Sequence, residues 1–336
     1  MINVTLIEGD GIGKEITRSL IEVFDALDTN ICFDIFPAGI DEYEKTGEVI
    51  SNEVYESLEK NKLAIKGPIT TPIGEGFRSV NVHLRKKYDL FANIRPVVSI
   101  EGVKTLFKNI NLCIFRENTE DLYAGIEEMI DKDSAKSIKI ITRKNSERII
   151  ESAFRYAKNL GIKEVTVVTK ANIMKMTDGL FLETARNIAK RYNGFKLNEV
   201  LIDNMCMQLV MNPQKYGVIV TENLYGDILS DLCAGLVGGL GLVPGANIGA
   251  NMAIFEPAHG SAPDIAEKNL ANPTAMLLSA CLLLDYIGDM ENSAKIRFAI
   301  SEVLKDKNNH TRDLGGDKTT KEFTKLIIDE IKKLEK

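Results

Sequence analysis

Residues 3–27 read NVTLIEGDGIGKEITRSLIEVFDAL, which combines a β-like run, a glycine-rich turn and an amphipathic helical pattern. A second β-like run, ICFDIF, follows at residues 31–36. The same alternation returns later. INLCIF, SIKIIT, VTVVT and YGVIVT are rich in β-branched residues, and helical patterns cover residues 147–160 and 180–192. Alternating strands and helices predict an α/β protein whose sheets are covered by helices.

Size and composition narrow the possible functions. The chain has 336 residues, of which 44% are hydrophobic, and a formal net charge of −6. This length suits one large or two medium domains. The acidic balance, without a basic stripe, argues against a nucleic-acid partner. The five cysteines stand singly among apolar residues and form no CxxC pair, so we expect free, mostly buried thiols in a reducing compartment.

Two segments bear on location. The N-terminal run MINVTLIEGDG enters a β-like pattern without a basic leader, which favours a cytoplasmic protein. Residues 232–255 carry no charge and are long enough to cross a bilayer. Six glycines, Pro244, Asn247 and Asn251 make that stretch poor material for a spanning helix. The sequence therefore predicts close-packed helix ends and a loop here, and no membrane partner.

The GDGIG run at residues 9–13 invites a dinucleotide-binding interpretation. The full fingerprint requires a third glycine where Lys14 stands. A tight turn between a strand and a helix is therefore better supported than a ligand site. We see no internal repeat, low-complexity tract or long linker, so a second domain would be an insertion in the first.

A charged constellation lies further along the chain. Arg85 and Arg95 occur in FRSVNVHLRKKYDLFANIRP, together with Ser79 and Asn81, and Arg116 follows the apolar run NLCIF. Any one arginine at a strand end is readily explained as a solvated flank. Three of them beside short polar side chains fit a polyanionic small molecule better, because guanidinium groups bind carboxylates in paired, planar geometry.

Acidic residues and a lysine follow other strands. Lys170 comes directly after VTVVT, Asp203 lies in IIDNM, and NLYGDILSDL places Asp227 and Asp231 four residues apart. Like charges at that helical spacing repel each other. Oxygen-only ligands suit Mg²⁺ or Mn²⁺ rather than zinc. A solvated helix start or an N-cap remains an alternative for the aspartate pair.

With these residues in view, the chain resembles the metal-dependent decarboxylating β-hydroxyacid dehydrogenases, namely the isocitrate, isopropylmalate and homoisocitrate dehydrogenases. The resemblance runs in order over nearly the whole chain. It is carried by IEGDGIG, GPITTPIGEGFRSVNVHLRKKYDLFANIRP, FRENTEDLYAGIE, KANIMK, NLYGDILSDL, EPAHGSAPDIA and ANPTA.

The resemblance implies a role for each matching position. Arg85, Arg95 and Arg116 would bind the substrate carboxylates, and Ser79 and Asn81 would contact its variable end. The catalytic pair would be Tyr123 and Lys170, and the metal ligands would be Asp203, Asp227 and Asp231. Lys170 and Asp203 would come from a second copy of the chain, so the active unit would be a homodimer or a larger homo-oligomer with shared sites.

The implied reaction is an oxidative decarboxylation. The metal would make the substrate hydroxyl easier to deprotonate, and Lys170 with Asp203 would accept or relay that proton while hydride leaves for the nicotinamide. After loss of CO2, Tyr123 would protonate the enolate at C3.

Ser79 and Asn81 match the Ser-x-Asn pattern of isocitrate enzymes. Because isopropylmalate enzymes need apolar residues there, isocitrate is the expected substrate, in the tricarboxylic acid cycle reaction. Homoisocitrate remains the alternative, since MQLVMNP and LGGDKTT also resemble that branch; 3-isopropylmalate is a further one.

The resemblance also implies NAD as the cofactor. Asp264 and Ile265 stand where NADP-using isocitrate enzymes carry lysine and tyrosine, and a carboxylate repels a 2′-phosphate with up to about two negative charges. TRDLGG, residues 311–316, lacks the tyrosine and arginine that hold this phosphate. The expected cofactor pocket comprises Thr70, His259, Gly260, Ser261, Ala262, Pro263, Asp264, Ile265 and Asn272.

The implied fold has two α/β domains around a cleft and is not a Rossmann dinucleotide fold. Residues 1–98 and 236–336 would form the large cofactor-binding domain, and residues 99–235 the small domain with the dimer contacts. A non-catalytic regulatory subunit is the rival interpretation from another class of protein. Such subunits change catalytic positions, whereas this chain keeps Tyr123, Lys170 and all three aspartates.

Overall fold

The computed structural model describes residues 1–71 and 79–334. Residues 72–78, within the predicted substrate segment, and residues 335–336 lie outside the described part. The strands are β1 (Ile2–Ile7), β2 (Ile31–Phe36), β3 (Leu63–Lys66), β4 (Ala92–Val98), β5 (Asn111–Glu117), β6 (Glu127–Asp131), β7 (Ser134–Ser137), β8 (Glu164–Thr169), β9 (Lys196–Leu201), β10 (Val218–Thr221), β11 (Pro244–Ile248) and β12 (Ala253–Pro257).

Helices separate most of these strands. They are α1 (Gly13–Asp25), α2 (Ile40–Thr46), α3 (Asn52–Asn61), α4 (Val80–Lys87), α5 (Arg143–Asn159), α6 (Thr177–Ala189), α7 (Ile202–Met211), α8 (Asn223–Val237), α9 (Thr274–Ile287), α10 (Met290–Lys305) and α11 (Thr320–Leu334). The helical patterns predicted over residues 14–27, 147–160 and 180–192 correspond to α1, α5 and α6, which confirms them within a few residues.

Within the described residues, ten strands form one mixed sheet in the order β2-β1-β3-β12-β11-β4-β5-β10-β8-β9. The outer pairs are parallel, whereas β12–β11, β11–β4 and β4–β5 are antiparallel. The strand order and the antiparallel centre differ from a doubly wound dinucleotide fold. The α/β class is confirmed. The boundaries of two separate domains stay a prediction, since the sheet is continuous from β2 to β9.

The first strand and helix show why the opening segment decides the fold. Val4, Leu6 and Ile7 of β1 are fully buried, as in a strand covered on both faces. On α1, Ile16, Leu20 and Val23 form one apolar stripe at helical spacing and pack into the core that α9, α10 and α11 complete. Burial of each such side chain contributes about 1.5–3 kcal/mol before the entropy of ordering is subtracted.

The GDGIG run forms a turn, as predicted. Gly9 and Gly11 adopt positive φ angles of 76° and 56°. A Cβ atom on Gly11 would lie 2.0 Å from the carbonyl oxygen of Ser261, so only glycine lets this turn lie against the segment after β12.

One predicted strand is wrong. SIKIIT, residues 137–142, contributes only the last residue of β7 and an isolated bridge between Ile140 and Asp121. In this segment the Lys139 ammonium group turns inward to Asp178 and Glu222, a tertiary contact that the sequence pattern does not indicate.

The expectation of free, mostly buried thiols is also met. The five cysteines are free, and only Cys32 is exposed. In residues 1–71 and 79–334, no helix is both long and apolar enough to cross a membrane.

Candidate active site

The three predicted arginines converge at the centre of the sheet. Arg95 lies on β4 and Arg116 on the neighbouring strand β5, and Arg85 lies in the last turn of α4. All three are buried, with residue exposures of 6%, 2% and 7% respectively. These three side chains form the arginine wall of the site. Long cationic side chains are almost never buried without partners, so their partners define the wall.

The shared counter-ion is Glu256 at the end of β12. Its carboxylate lies 2.8 Å from Lys66 Nζ, 3.3 Å from Arg85 Nη2 and 4.0 Å from Arg95 Nη2. The Asn247 side-chain amide donates to it at 2.8 Å. Burial alone would raise the pKa of Glu256, but the surrounding cations hold this pKa far below its usual range. Glu256 therefore stays ionised and pairs with Arg85 and, at a longer distance, with Arg95, whereas Arg116 has other partners.

Two buried guanidinium atoms keep unused donor capacity. Arg85 Nε and Arg95 Nη1 are fully covered and have no hydrogen-bond partner among the described groups. Burial lowers the pKa of Arg95 to about 10, which leaves the group charged at neutral pH. An anionic ligand with several carboxylates would satisfy such donors.

The segment NLYGDILSDL builds the opposite wall as the start of α8. Asn223 Oδ1 accepts a hydrogen bond from Arg116 Nε at 2.8 Å, and Asp227 pairs with Arg116 Nη1. Gly226 makes this approach feasible, because a Cβ there would lie 2.5 Å from Arg116 Cγ. Gly226 therefore lets the segment approach Arg116 closely, and Asn223 and Asp227 hold that arginine in place.

Tyr123 completes this wall. It lies in a short 3₁₀ turn, Leu122–Ala124, after β5. Its hydroxyl donates to Asp227 Oδ2 at 2.6 Å, and the guanidinium carbon of Arg116 lies 5.0 Å from the ring centre. The structure thus brings Tyr123 and Arg116 together with Asp227, which follows them by more than a hundred residues in the sequence.

The surroundings lower the pKa of Asp227 but raise the pKa values of Tyr123 and Asp231. Burial would raise the pKa of Asp227, but Arg116, the Tyr123 hydroxyl and Arg85 together lower it. Burial, and then the bond to Asp227, raise the pKa of Tyr123, so the phenol keeps its proton at neutral pH. Burial and the neighbouring Asp227 charge raise the pKa of Asp231. A cation beside both carboxylates would relieve that repulsion.

The remaining predicted catalytic residues lie elsewhere. Lys170 follows β8 and Asp203 lies in the first turn of α7, and their charged atoms are 2.7 Å apart. The Lys170 hydrogen bond lowers the pKa of Asp203. In the described residues neither side chain contacts Tyr123, Asp227 or Asp231, and no group of three acidic, histidine or cysteine residues could hold a metal ion. One chain therefore presents two predicted metal ligands on α8 and the third in a separate place.

Ser79 and Asn81 lie at the start of α4. The Ser79 hydroxyl accepts a bond of 3.4 Å from the Val82 N–H and so caps the helix, a role that the sequence does not indicate. Asn81 lines a small cavity with Arg85, Lys66 and Glu256, and its side-chain oxygen is buried without a partner. The structure therefore places Asn81 beside the arginine wall.

The predicted cofactor loop borders a larger cavity of about 440 Å³. His259, Gly260, Ala262, Ile265 and Asn272 line it, together with Ile12, Gly241, Leu270, Ala271, Arg312 and Asp313. The Thr70 and Ser261 hydroxyls form a hydrogen bond of 2.6 Å close by. Pro263 and Asp264 do not belong to the lining.

Some polar groups in this cavity have hydrogen-bond partners and one lacks a partner among the described residues. His259 Nδ1 lies 2.9 Å from the Gly260 carbonyl oxygen, whereas its Nε2 is buried without a partner. Burial lowers the pKa of His259, so the ring is neutral at pH 7. The Asn272 amide donates to Asp313 Oδ2 at 3.0 Å. A neutral ring and an amide beside a mostly apolar lining fit a nucleoside portion of a cofactor.

Sequence reasoning missed several residues of these sites, and Glu256, Asn223 and Asp313 are the most informative of them. Glu256 is part of a matching motif, and its position after the apolar run AIF is the available signal. Asn223 begins NLYGDILSDL, where the two charged aspartates draw attention away from the neutral amide. Asp313 lies in TRDLGG, a segment that is informative in sequence only for the residues it lacks.

Comparisons with known proteins show which family the chain resembles over its length. The family model described as isocitrate/isopropylmalate dehydrogenase matches residues 3–327. The alpha chain of the mitochondrial NAD isocitrate dehydrogenase of Bos taurus is 48% identical over 333 residues, covering 99% of this chain and 91% of the relative. One regulatory chain of the mitochondrial NAD isocitrate dehydrogenase of Dictyostelium discoideum is 50% identical over 329 residues, covering 98% and 91%.

A solved structure is equally similar. The crystal structure of isocitrate dehydrogenase from Methylococcus capsulatus has a TM-score of 0.95 to this chain and 47% sequence identity. The match covers 98% of this chain and 99% of that one.

Proposed function

Because the chain belongs to the isocitrate/isopropylmalate dehydrogenase family, we propose that it catalyses the NAD-dependent oxidative decarboxylation of isocitrate to 2-oxoglutarate, CO2 and NADH. One observation carries the proposal. Three buried arginines, two of which keep unused donors, face a wall that holds Asp227 and a protonated Tyr123. A tricarboxylate fits the positive wall, and the opposite wall offers a proton donor.

Substrate binding follows from the charges. Lys66, Arg85, Arg95 and Arg116 supply four positive charges, and the nearby carboxylates of Glu256, Asp227 and Asp231 supply three negative ones. The excess favours an anion in a place where little water screens the interaction. Asn81 lies beside Arg85 and adds a polar group for the end of the substrate that distinguishes isocitrate from an apolar analogue.

Tyr123 is the proton donor in this proposal. Its raised pKa keeps the phenol protonated, and its bond to Asp227 fixes the direction of the hydroxyl. A positioned acid that protonates C3 after CO2 has left would accelerate that step by about 10²–10⁴-fold. Lys170, paired with Asp203, is the proposed acceptor for the hydroxyl proton during oxidation.

Asp227 and Asp231 fit the family's divalent metal, Mg²⁺ or Mn²⁺. They offer only oxygen ligands, and their mutual repulsion favours a cation between them. Such an ion supplies Lewis-acid polarisation of the substrate hydroxyl and the later oxo group. Asp203 is the proposed third ligand, contributed by another copy of the chain.

A homodimer, or a larger homo-oligomer, is therefore part of the proposal. In the part of the chain that the structure describes, Lys170 and Asp203 have no contact with Tyr123, Asp227 or Asp231. Met176, Met211 and Ile228 are exposed apolar side chains close in sequence to Lys170, Asp203 and Asp227, and the β6–β7 hairpin exposes others. A contiguous patch of exposed apolar side chains marks a protein interface, and the proposal predicts that these residues belong to one. The relatives are named as subunits, so a mixed assembly is the alternative.

NAD is the proposed cofactor, and its choice over NADP has a direct test. Replacing Asp264 with lysine and Ile265 with tyrosine should lower the ratio of NAD to NADP catalytic efficiency by at least about tenfold, since a lysine attracts the 2′-phosphate. Ile265 lines the cavity whereas Asp264 lies outside the lining. Each single variant therefore separates pocket shape from charge, and an unchanged ratio in Asp264→Lys alone would remove Asp264 as the discriminator.

The substrate proposal is tested with the purified chain, Mg²⁺ or Mn²⁺, and both cofactors. Isocitrate should give a higher kcat/KM with NAD than homoisocitrate or 3-isopropylmalate. A higher value for either competitor would replace isocitrate as the substrate. Inactivity of the chain alone, with activity after addition of a relative's catalytic subunit, would instead identify a regulatory subunit.

The regulatory alternative rests on one specific observation, the 50% identity to a relative named as a regulatory subunit. Against it stand Tyr123, Lys170 and the three aspartates, all of which are present here. A cytoplasmic location stays a proposal and is tested by fractionation, because the Bos taurus and Dictyostelium discoideum relatives are named as mitochondrial.

A further inference from the structure

A buried cluster of charged side chains lies next to the turn that carries Tyr123 and to the start of α8, outside the substrate cleft. Its centre is Lys139, in the segment between β7 and α5 where a strand was expected. The side chain is 11% exposed. Its ammonium nitrogen lies 2.6 Å from Asp178 and 3.9 Å from Asp121, and it also pairs with Glu222. The Tyr225 ring centre is 4.6 Å away.

Two of these carboxylates hold backbone groups of the proposed catalytic segments. Asp121 accepts the Leu122 N–H and the Leu224 N–H, both at 2.8 Å. Asp178 accepts the Lys170 N–H at 2.6 Å. Leu122 precedes Tyr123, and Leu224 lies in the first turn of α8, which carries Asp227 and Asp231. Glu222, the third carboxylate, directly precedes α8.

The cluster depends on its one cation. The three carboxylates are at most 1% exposed, and in the described residues no other cation lies within salt-bridge distance of them. Burial raises the pKa of Glu222 to about 8 even with Lys139 beside it. Without the ammonium group, the buried carboxylates of Asp121 and Asp178 would lose their cation and repel each other at short range.

Asp121 adds evidence of a constrained segment. Its backbone adopts φ 73° and ψ −148°, a conformation that non-glycine residues rarely populate. Such a conformation is strained and persists only where its surroundings over-determine it. Here the two backbone bonds to its carboxylate and the nearby Lys139 charge supply that constraint.

We propose that Lys139 is a positioning residue that holds the Tyr123 turn, the Lys170 loop and the start of α8 in one fixed arrangement through Asp121, Asp178 and Glu222. It touches no reacting atom. The Tyr123 turn and α8 belong to the cleft of their own chain, whereas the Lys170 side chain pairs with Asp203 elsewhere. The cluster therefore ties together the two regions that one chain offers to catalysis. This inference rests on the proposed function for its kinetic consequence, but not for its structural one.

The decisive variant is Lys139→Met, which keeps the approximate length of the side chain and removes its charge. Arg297→Met is the matched control, because Arg297 pairs with Asp285 at 2.6 Å between α9 and α10, away from the cleft. Hydrogen–deuterium exchange is measured on both purified proteins without substrate. In Lys139→Met, peptides containing the Leu122, Lys170 and Leu224 amides should exchange at least about tenfold faster than in wild type. In Arg297→Met they should not change.

Kinetics supply the second readout. A displacement of about 1 Å at a catalytic group costs about 10²-fold in rate. The kcat of Lys139→Met should fall by that factor, while the KM for isocitrate, which depends on the arginine wall, should change less than about threefold. A KM that rises as much as kcat falls, or unchanged exchange at the three amides, would overturn the proposal.

A second variant covers a failure of Lys139→Met to fold. Asp178→Ala removes the side-chain acceptor of the Lys170 N–H and keeps Lys139 beside Asp121 and Glu222. Exchange should then accelerate at the Lys170 amide and stay at the wild-type rate at Leu122. If exchange accelerates equally at both amides, or at neither of them, Asp178 does not hold the Lys170 amide separately from the Leu122 amide. The exchange measurements hold even if wild type fails to oxidise isocitrate, so failure of the proposed function is distinguishable from failure of this inference.

Discussion

The two charged regions assigned to catalysis differ in how they are held. The arginine wall is buried in the sheet, and Glu256, Asn223 and Asp227 fix its side chains. The Lys170–Asp203 pair stands at the surface, and the Asp203 side chain is 68% exposed. The first region is preorganised within one chain. The second is a pair of side chains that contact each other and, among the described residues, none of the cleft groups of their own chain.

This difference separates binding from catalysis. A folded monomer already contains the proposed carboxylate-binding wall and the proposed proton donor Tyr123. If the proposed assembly is correct, the proton acceptor and third metal ligand arrive only when a second copy docks. Disruption of the first region should therefore damage stability and substrate binding together, whereas disruption of the second should damage turnover or metal binding and leave stability nearly unchanged.

The largest expected effect tests whether the second region serves another chain. Tyr123→Phe and Lys170→Met should each lower kcat by about 10²–10⁴-fold, since each removes a proton-transfer group. Mixing and reassembling the two inactive proteins should recover about a quarter of wild-type activity, because half of the dimers are hybrids with one intact site. Activity is measured after dilution from mild denaturant.

Each variant refolded alone is the control for that experiment. Recovery in the mixture but in neither control supports shared sites. A mixture as inactive as its components would place Tyr123 and Lys170 in the same chain's site and erase the proposed distinction between the two regions.

The second prediction concerns the stability of the buried wall. Glu256→Gln keeps the side-chain shape but leaves Lys66, Arg85 and Arg95 without their buried anion, which should cost about 3–5 kcal/mol of unfolding free energy. Urea denaturation measures this loss. Asp285→Asn, which breaks the partly exposed pair with Arg297, is the matched control and should cost less than about 1 kcal/mol. Equal losses would mean that Glu256 does not organise the wall.

The same contrast explains what the sequence could predict. The α/β class and the helices α1, α5 and α6 were predictable, because they follow from periodicity. The arginines and aspartates were predictable from charge beside apolar runs and from the resemblance. Glu256 was not, because one acid after a strand looks the same in sequence whether it is solvated or buried beneath three cations. SIKIIT was misread for a similar reason, since only tertiary structure brings Asp178 and Glu222 to Lys139.

The third prediction uses the depressed pKa of Glu256. A carboxyl whose folded pKa lies below its unfolded value contributes stability above the unfolded pKa, about 4.3, and loses it as pH falls toward the folded pKa. Below about pH 4.5 this group alone should lower the wild-type unfolding free energy by up to about 1.4 kcal/mol per pH unit. Glu256→Gln lacks this dependence, so the gap between the two proteins should narrow on acidification. Denaturation midpoints from about pH 7 to about pH 3.5 measure it across the unfolded pKa, and a constant gap would contradict the assignment.

The smallest expected effect is on the stability of the exposed region. Asp203→Asn removes the charge that pairs with Lys170, but exposed ion pairs contribute at most about 1 kcal/mol and surface substitutions usually change stability by less than about 0.5 kcal/mol. The unfolding free energy of the variant should therefore match that of wild type within that limit, while the Mg²⁺ or Mn²⁺ concentration needed for half-maximal activity rises by at least about tenfold. A large loss of stability with unchanged metal dependence would mean that Asp203 supports its own chain's fold. The two regions would then not differ in the way proposed.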